Sequence, residues 1–122
     1  MANERFLAMM QETEFLRQKL TVTKHDYSEA VSSLLTIAFG DTSGSRAAAQ
    51  VLLSTYNGNS YHMDLTDLCV LDLKYVEQAL IVMRGRVMLS IEPQQMIEDG
   101  QAKFSRLEDH WKHLYVKNRH KN

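Results

Sequence analysis

The chain is poor in the residues that staple, break or anchor a fold. It has a single cysteine, Cys69, so no intramolecular disulfide can form and one chain cannot build a cysteine zinc site. That fits a reducing compartment. It has a single proline, Pro93, and only five glycines, so few positions interrupt a regular backbone. No apolar run approaches the ~18 residues that span a bilayer, so no membrane segment is expected. The first fifteen residues, MANERFLAMMQETEF, lack the basic-then-apolar pattern of a secretory leader. The expected location is the cytoplasm. The formal net charge is −1, which by itself calls for neither nucleic acid nor an anionic surface.

What is present is helical periodicity. Apolar residues recur every three or four positions, and no segment alternates as a half-buried strand would. The 122 residues suit one domain. The spacing predicts a helix over about Glu4–Leu20 with a narrow stripe of Phe6, Met9, Met10, Thr13, Leu16 and Leu20. A second helix follows Asp26, read as its cap with Glu29 in a capping box, and ends near Phe39. Gly40 stands where a helix takes a left-handed terminal residue. The third helix, from Thr42 or Ser43 to Tyr56, is alanine-rich and apolar on most of its surface, which predicts a central position. A short helical turn follows Asp64. A fourth helix, about Leu73–Leu89, carries Leu73, Val76, Leu80, Met83 and Val87, with Ile81 and Val82 widening the stripe, and a last one spans about Gln101–Val116. The expectation is an all-α single-domain bundle of five main helices and one short turn. Residues 1–24 form a helical extension, 25–116 the core and 117–122 a basic tail.

Several stretches invite a chemical reading. The loop GDTSGSR (Gly40–Arg46) is glycine- and hydroxyl-rich. A phosphate-binding P-loop needs a preceding strand, wider glycine spacing and a lysine, and all three are missing. A helix corner capped by Asp41 or Thr42 is the simpler reading. Arg46 then falls in the first helical turn, where a cation opposes the helix dipole. It is expected to pair with a carboxylate: Asp41 locally, or Asp64, Asp67 or Asp72 across the fold. Such a pair would tie the third helix to the corner DLTDLCVLD (Asp64–Asp72).

The acidic corner, with His62 before it, lacks the central glycine and terminal glutamate of a calcium loop. His110 and His113 share a helix face but not the H-E-x-x-H pattern; they read as surface residues beside a core Trp111. Cys69 lies in an apolar run without a neighbouring base and reads as a buried, inert thiol. No G-x-S-x-G elbow occurs. No catalytic residue, metal or cofactor is therefore assigned.

Two surfaces remain. The N-terminal stripe (Phe6, Met10, Leu16, Leu20) can pack on its own domain, the simpler reading, or on a second copy as a coiled-coil-like seam. The C-terminal residues Lys112, Lys117, Arg119 and Lys121, with no acid among residues 112–122, can meet phosphates, and Arg84 and Arg86 add a smaller basic spot. Residues 64–77 carry four acids and Lys74, so the chain is polarised.

From Gly40 onward the chain resembles an uncharacterised proteobacterial domain family often found on mobile elements. The residues that carry the resemblance are GDTSGSRAAAQVLLSTYN, then DLTDLCVLD, then Trp111 after Phe104 and Leu107. The family pattern G-D-T-x-x-S-R falls on Gly40, Asp41, Thr42, Ser45 and Arg46. Its D-x-T-D-L corner falls on Asp64, Thr66, Asp67 and Leu68, with Asp72 after it. The chain departs from the pattern at Ser54, Thr55 and Tyr56, where aromatics are usual, and at Cys69, where tryptophan is. The resemblance implies a bacterial, plasmid- or phage-borne origin and no known activity. The expected function is non-enzymatic: an accessory factor that binds a protein partner. A nucleic-acid accessory factor using the basic tail is the alternative.

Overall fold

The computed structural model describes residues 2–119. Five α-helices carry the fold: α1 (Ala2–Leu20), α2 (Lys24–Ala38), α3 (Ser43–Tyr56), α4 (Leu73–Leu89) and α5 (Gly100–His110). Short 3₁₀ segments lie at Leu65–Val70, Pro93–Met96 and Lys112–Leu114. Among the described residues there is no strand, only an isolated bridge between Tyr61 and Tyr115. The all-α bundle expected from periodicity is the fold observed.

The core sits where α2 packs on both α3 and α4. Tyr27, Val31, Leu34 and Ala38 of α2 meet Ala48, Leu52 and Leu53 of α3, and Phe104 and Leu107 of α5 join the same cluster. Fully burying a leucine such as Leu34 or Leu52 contributes ~1.5–3 kcal/mol. The alanines of α3 are completely buried, in keeping with the central position predicted for that helix.

Two caps differ from the sequence reading. The N-cap of α2 is Thr23, whose hydroxyl accepts from the Asp26 amide at 3.0 Å. Asp26 is therefore inside the first turn, where its charge suits the dipole. Gly40 does not take a left-handed conformation; no glycine among the described residues has positive φ. A Cβ at Gly40 would lie 2.5 Å from the Ser45 hydroxyl, so close approach is what the position requires. The predicted helix over Gln101–Val116 stops at His110, because Trp111 leaves helical geometry at φ −117° and ψ 45°. Its indole N–H thereby donates to the Ala38 carbonyl at 2.6 Å.

The largest difference concerns α4. The apolar stripe Leu73, Leu80 and Val87 faces solvent, with Leu73 85% and Val87 74% exposed. The core face is Ala79, Val82 and Gly85, so of the expected stripe only Val82, at its widened edge, is fully buried. The reason is Tyr27. Its ring lies against the Gly85 backbone, where a Cβ would meet ring carbons at 2.5 Å, and its hydroxyl donates to the Ile91 carbonyl at 2.6 Å. A close helix crossing needs small residues on the buried face, so the larger ones lie outside. Burial pushes the Tyr27 phenol up to about 12, with Arg86 opposing the shift.

Candidate interaction surface

In the GDTSGSR corner, Gly40, Thr42 and Ser45 have structural roles. Thr42 caps α3, its hydroxyl accepting from the Ser45 amide at 3.0 Å and lying 2.9 Å from the Ser45 hydroxyl. The Gly40 carbonyl lies 2.8 Å from His110 Nε2. The hydroxyls that made the loop resemble an anion cradle thus face each other.

Arg46 has no carboxylate partner among the described residues, and its Nε is buried without a hydrogen bond. The expected ion pair is corrected on this point. The tie between α3 and the acidic corner does exist, and Gln50 makes it. The Gln50 side-chain carbonyl accepts from the Asp64 amide at 2.7 Å, and its amide nitrogen donates to the Asp67 carboxylate at 2.7 Å. Gln50 is 1% exposed, so both ends of the carboxamide are satisfied inside the fold. A neutral amide has one donor end and one acceptor end, which fits a target presenting one acceptor and one donor. The signal was present in the sequence: Gln50 is the one polar residue in the run AAAQVLL (47–53).

Asp64 is not a side-chain cap. Its backbone begins the 3₁₀ segment, but its carboxylate pairs with Arg119 Nη2. Arg119 also donates to the His62 carbonyl at 3.3 Å. This removes Arg119 from the set of free phosphate-binding cations. Asp41 and Asp72 are exposed and form no ion pair among the described residues. Lys112 and Lys117 are exposed, Arg84 is exposed, and Arg86 donates to the Thr55 carbonyl at 3.1 Å. Lys121 lies outside the described residues.

His110 and His113 are exposed and flank Trp111. The rings of His110 and His113 lie 5.5 and 5.3 Å from that of Trp111, which is buried. Among the described residues no three histidine, cysteine, aspartate or glutamate side chains come together as a metal site. Cys69 is exposed rather than buried, which corrects the inert-core reading. Tyr61 is buried and donates to Glu108 at 2.8 Å; burial, then the Glu108 carboxylate, hold its phenol well above the usual range.

What stands out is α1. Every residue from Asn3 to Leu20 is exposed, and the helix meets the rest of its molecule only sparsely, along α4. The simpler expectation, that its stripe packs on its own domain, is overturned. Phe6 is 62% exposed and Leu20 40%, and Met10 and Leu16 fall between. Local pairing adds little: Glu14 meets Arg17 at 3.5 Å with both side chains in solvent, a contact of ~0.5 kcal/mol. Helices in proteins draw most of their stability from packing an apolar face, and here that face is uncovered. Among the described residues no helix is long and apolar enough to cross a membrane.

The uncovered residues on α1 and α4 share one rhythm. Phe6, Met9, Thr13, Leu16 and Leu20 are spaced 3, 4, 3 and 4. Leu73, Val76, Leu80, Met83 and Val87 are spaced 3, 4, 3 and 4 as well, with Val76 and Met83 half-buried at the edge of the stripe. This is the spacing of helices that pair side by side. α1 thus carries a full seam, whereas the exposed part of the α4 seam is Leu73, Leu80 and Val87 at intervals of seven, Met83 packing on the protein's own core.

The chain belongs to a family of unknown function (DUF7673), whose model matches residues 28–112. The match covers α3, the acidic corner and α4, and begins after α1. Comparison with curated proteins and with solved structures returned no match.

Proposed function

We propose that this member of the DUF7673 family is a non-enzymatic interaction protein that binds another protein through the outward apolar faces of α1 and α4. The observation that supports the reading most is the complete exposure of the α1 stripe. The groups nearest to a reactive set support it as well: Asp64, Asp67, Gln50 and Arg119 satisfy one another and hold the fold. A role as an accessory factor of a bacterial mobile element rests on the resemblance of the G-D-T-x-x-S-R and D-x-T-D-L motifs alone, and the genomic neighbourhood tests it; a cytoplasmic location rests on the single cysteine and the lack of a long apolar run. The nucleic-acid alternative is weakened by Arg119, whose guanidinium is committed to Asp64.

The test compares the wild-type chain with a Phe6→Asp, Leu16→Asp double variant as baits in a bacterial lysate. Both positions are exposed, so circular dichroism should show α2–α5 intact. Stoichiometric recovery of one protein by wild type and its loss from the variant is the expected result. Equal recovery by both baits would contradict the reading. So would recovery of nucleic acid that disappears on neutralising Lys112 and Lys117 and falls steeply with salt.

A further inference from the structure

We infer that the partner of α1 is a second copy of this chain, and that α1 of each copy lies parallel along the outer stripe of α4 in the other. The inference rests on the interaction reading and narrows it: a second copy covers the apolar faces, and a protein recovered from the lysate would bind the dimer, which the Phe6→Asp, Leu16→Asp double variant dissociates.

The two seams fit each other in register. Aligning Phe6 with Leu73 of the second copy brings Leu20 level with Val87, since both pairs are separated by fourteen residues, or ~21 Å of helix. Thr13 then falls opposite Leu80, and Met9 and Leu16 fall opposite the half-buried Val76 and Met83. In a parallel pairing the flanking residue before one seam position faces the residue five places on in the partner helix. Applied here, Arg5 meets Glu77 and Glu12 meets Arg84 of the second copy. Both pairs are of opposite sign, and all four side chains are exposed. Antiparallel pairing is less well matched, because it sets Arg5 toward Arg86.

α1 stands clear of its own α4 except for sparse contact, so within one chain the two seams leave each other uncovered. A three-residue connector, Thr21–Thr23, joins α1 to α2 and leaves α1 able to reach another molecule. Reciprocal docking is two-fold symmetric, so it closes as a dimer and covers both seams of both chains. Each chain supplies one donor helix and one acceptor stripe, and the interface is doubled relative to a single helix pair.

The test uses the full chain with Cys69→Ser, because Cys69 is exposed. Light scattering should give twice the chain mass of 14.1 kDa. Single-cysteine variants are then mixed and oxidised. Phe6→Cys mixed with Leu73→Cys should give a covalent heterodimer; Phe6→Cys mixed with Val87→Cys should not, the two sites being ~21 Å apart in this register. Glu12→Arg and Arg84→Glu should each weaken self-association about fivefold, and mixing the two variants should restore it at that contact. A monomer at every concentration overturns the inference. So does cross-linking of Phe6→Cys only to itself, which would mean α1 pairs with α1, or preferentially to Val87→Cys. A monomer that still captures a different protein through α1 would end the dimer and leave the interaction reading standing. A dimer whose α1 variants lose no partner in the lysate experiment would do the reverse.

Discussion

Gln50 accepts a hydrogen bond from the Asp64 amide and thereby fastens the centre of α3 to the acidic corner, 2.7 Å away. The same side chain holds Asp67 with its other end. Replacing Gln50 with Leu leaves the Asp64 N–H and a half-buried carboxylate without their partner. An unsatisfied buried group costs ~1–3 kcal/mol, and more when a charge loses its donor. We expect Gln50→Leu to lower stability by about 2–4 kcal/mol in urea denaturation. A loss below about 0.5 kcal/mol would mean that the corner is held by other contacts.

Arg46 predicts the opposite behaviour. It carries a buried, unpaired Nε in the first turn of α3, where the helix dipole disfavours a cation. Arg46→Met removes the charge and keeps the aliphatic volume. The variant should be as stable as wild type or more so, within about 1 kcal/mol, by thermal denaturation. A loss of 3 kcal/mol or more is roughly what breaking a buried ion pair costs, and would revive the pairing with an aspartate.

Gly85 sets two magnitudes against each other. Alanine is better than glycine in a helix by ~1 kcal/mol. A Cβ here would sit 2.5 Å from the Tyr27 ring, however, and overpacking costs ~1–3 kcal/mol. The ring cannot retreat freely, because its hydroxyl is bonded to the Ile91 carbonyl at 2.6 Å. Gly85→Ala should therefore destabilise despite its higher helix propensity. Pairing it with Tyr27→Leu should recover part of the loss.

Tyr27 also gives a pH signature. Its phenol is raised from 10.0 to about 12 by burial, so the folded state holds the proton over a window in which the unfolded chain releases it. The stabilisation is fully present below pH 10 and is lost as pH rises through about 12. Tyr27→Phe should lower stability at neutral pH by the lost hydrogen bond, about 1 kcal/mol. It should also make the decline between those pH values shallower than in wild type. Parallel pH profiles for the two proteins would contradict the assignment.

Much of this fold was legible locally. The start and end of α3 follow from Thr42 and the turn residues after Tyr56, which act over one turn of chain, and the extent of α4 follows from its helical periodicity, Asp72 standing at its start without a side-chain cap bond. The orientation of α4 was not legible in the same way. Its stripe from Leu73 to Val87 has the look of a core face, yet the buried face is the one that can approach Tyr27, and that contact spans residues 27 and 85. Gln50 and Arg119 were missed for a related reason. Their partners lie 14 and 55 positions away, and polar pairing across a fold leaves no periodic trace. The exposed α1 stripe was visible as a pattern, but periodicity does not say which surface covers it.

The central claim is that α1 is held by the α4 stripe of another copy. Hydrogen exchange of the α1 amides as a function of protein concentration tests it most directly. The account predicts protection across α1 at high concentration, lost on dilution together with the dimer and lost in Leu16→Asp at every concentration. Protection that is independent of concentration, or absent throughout, would contradict it.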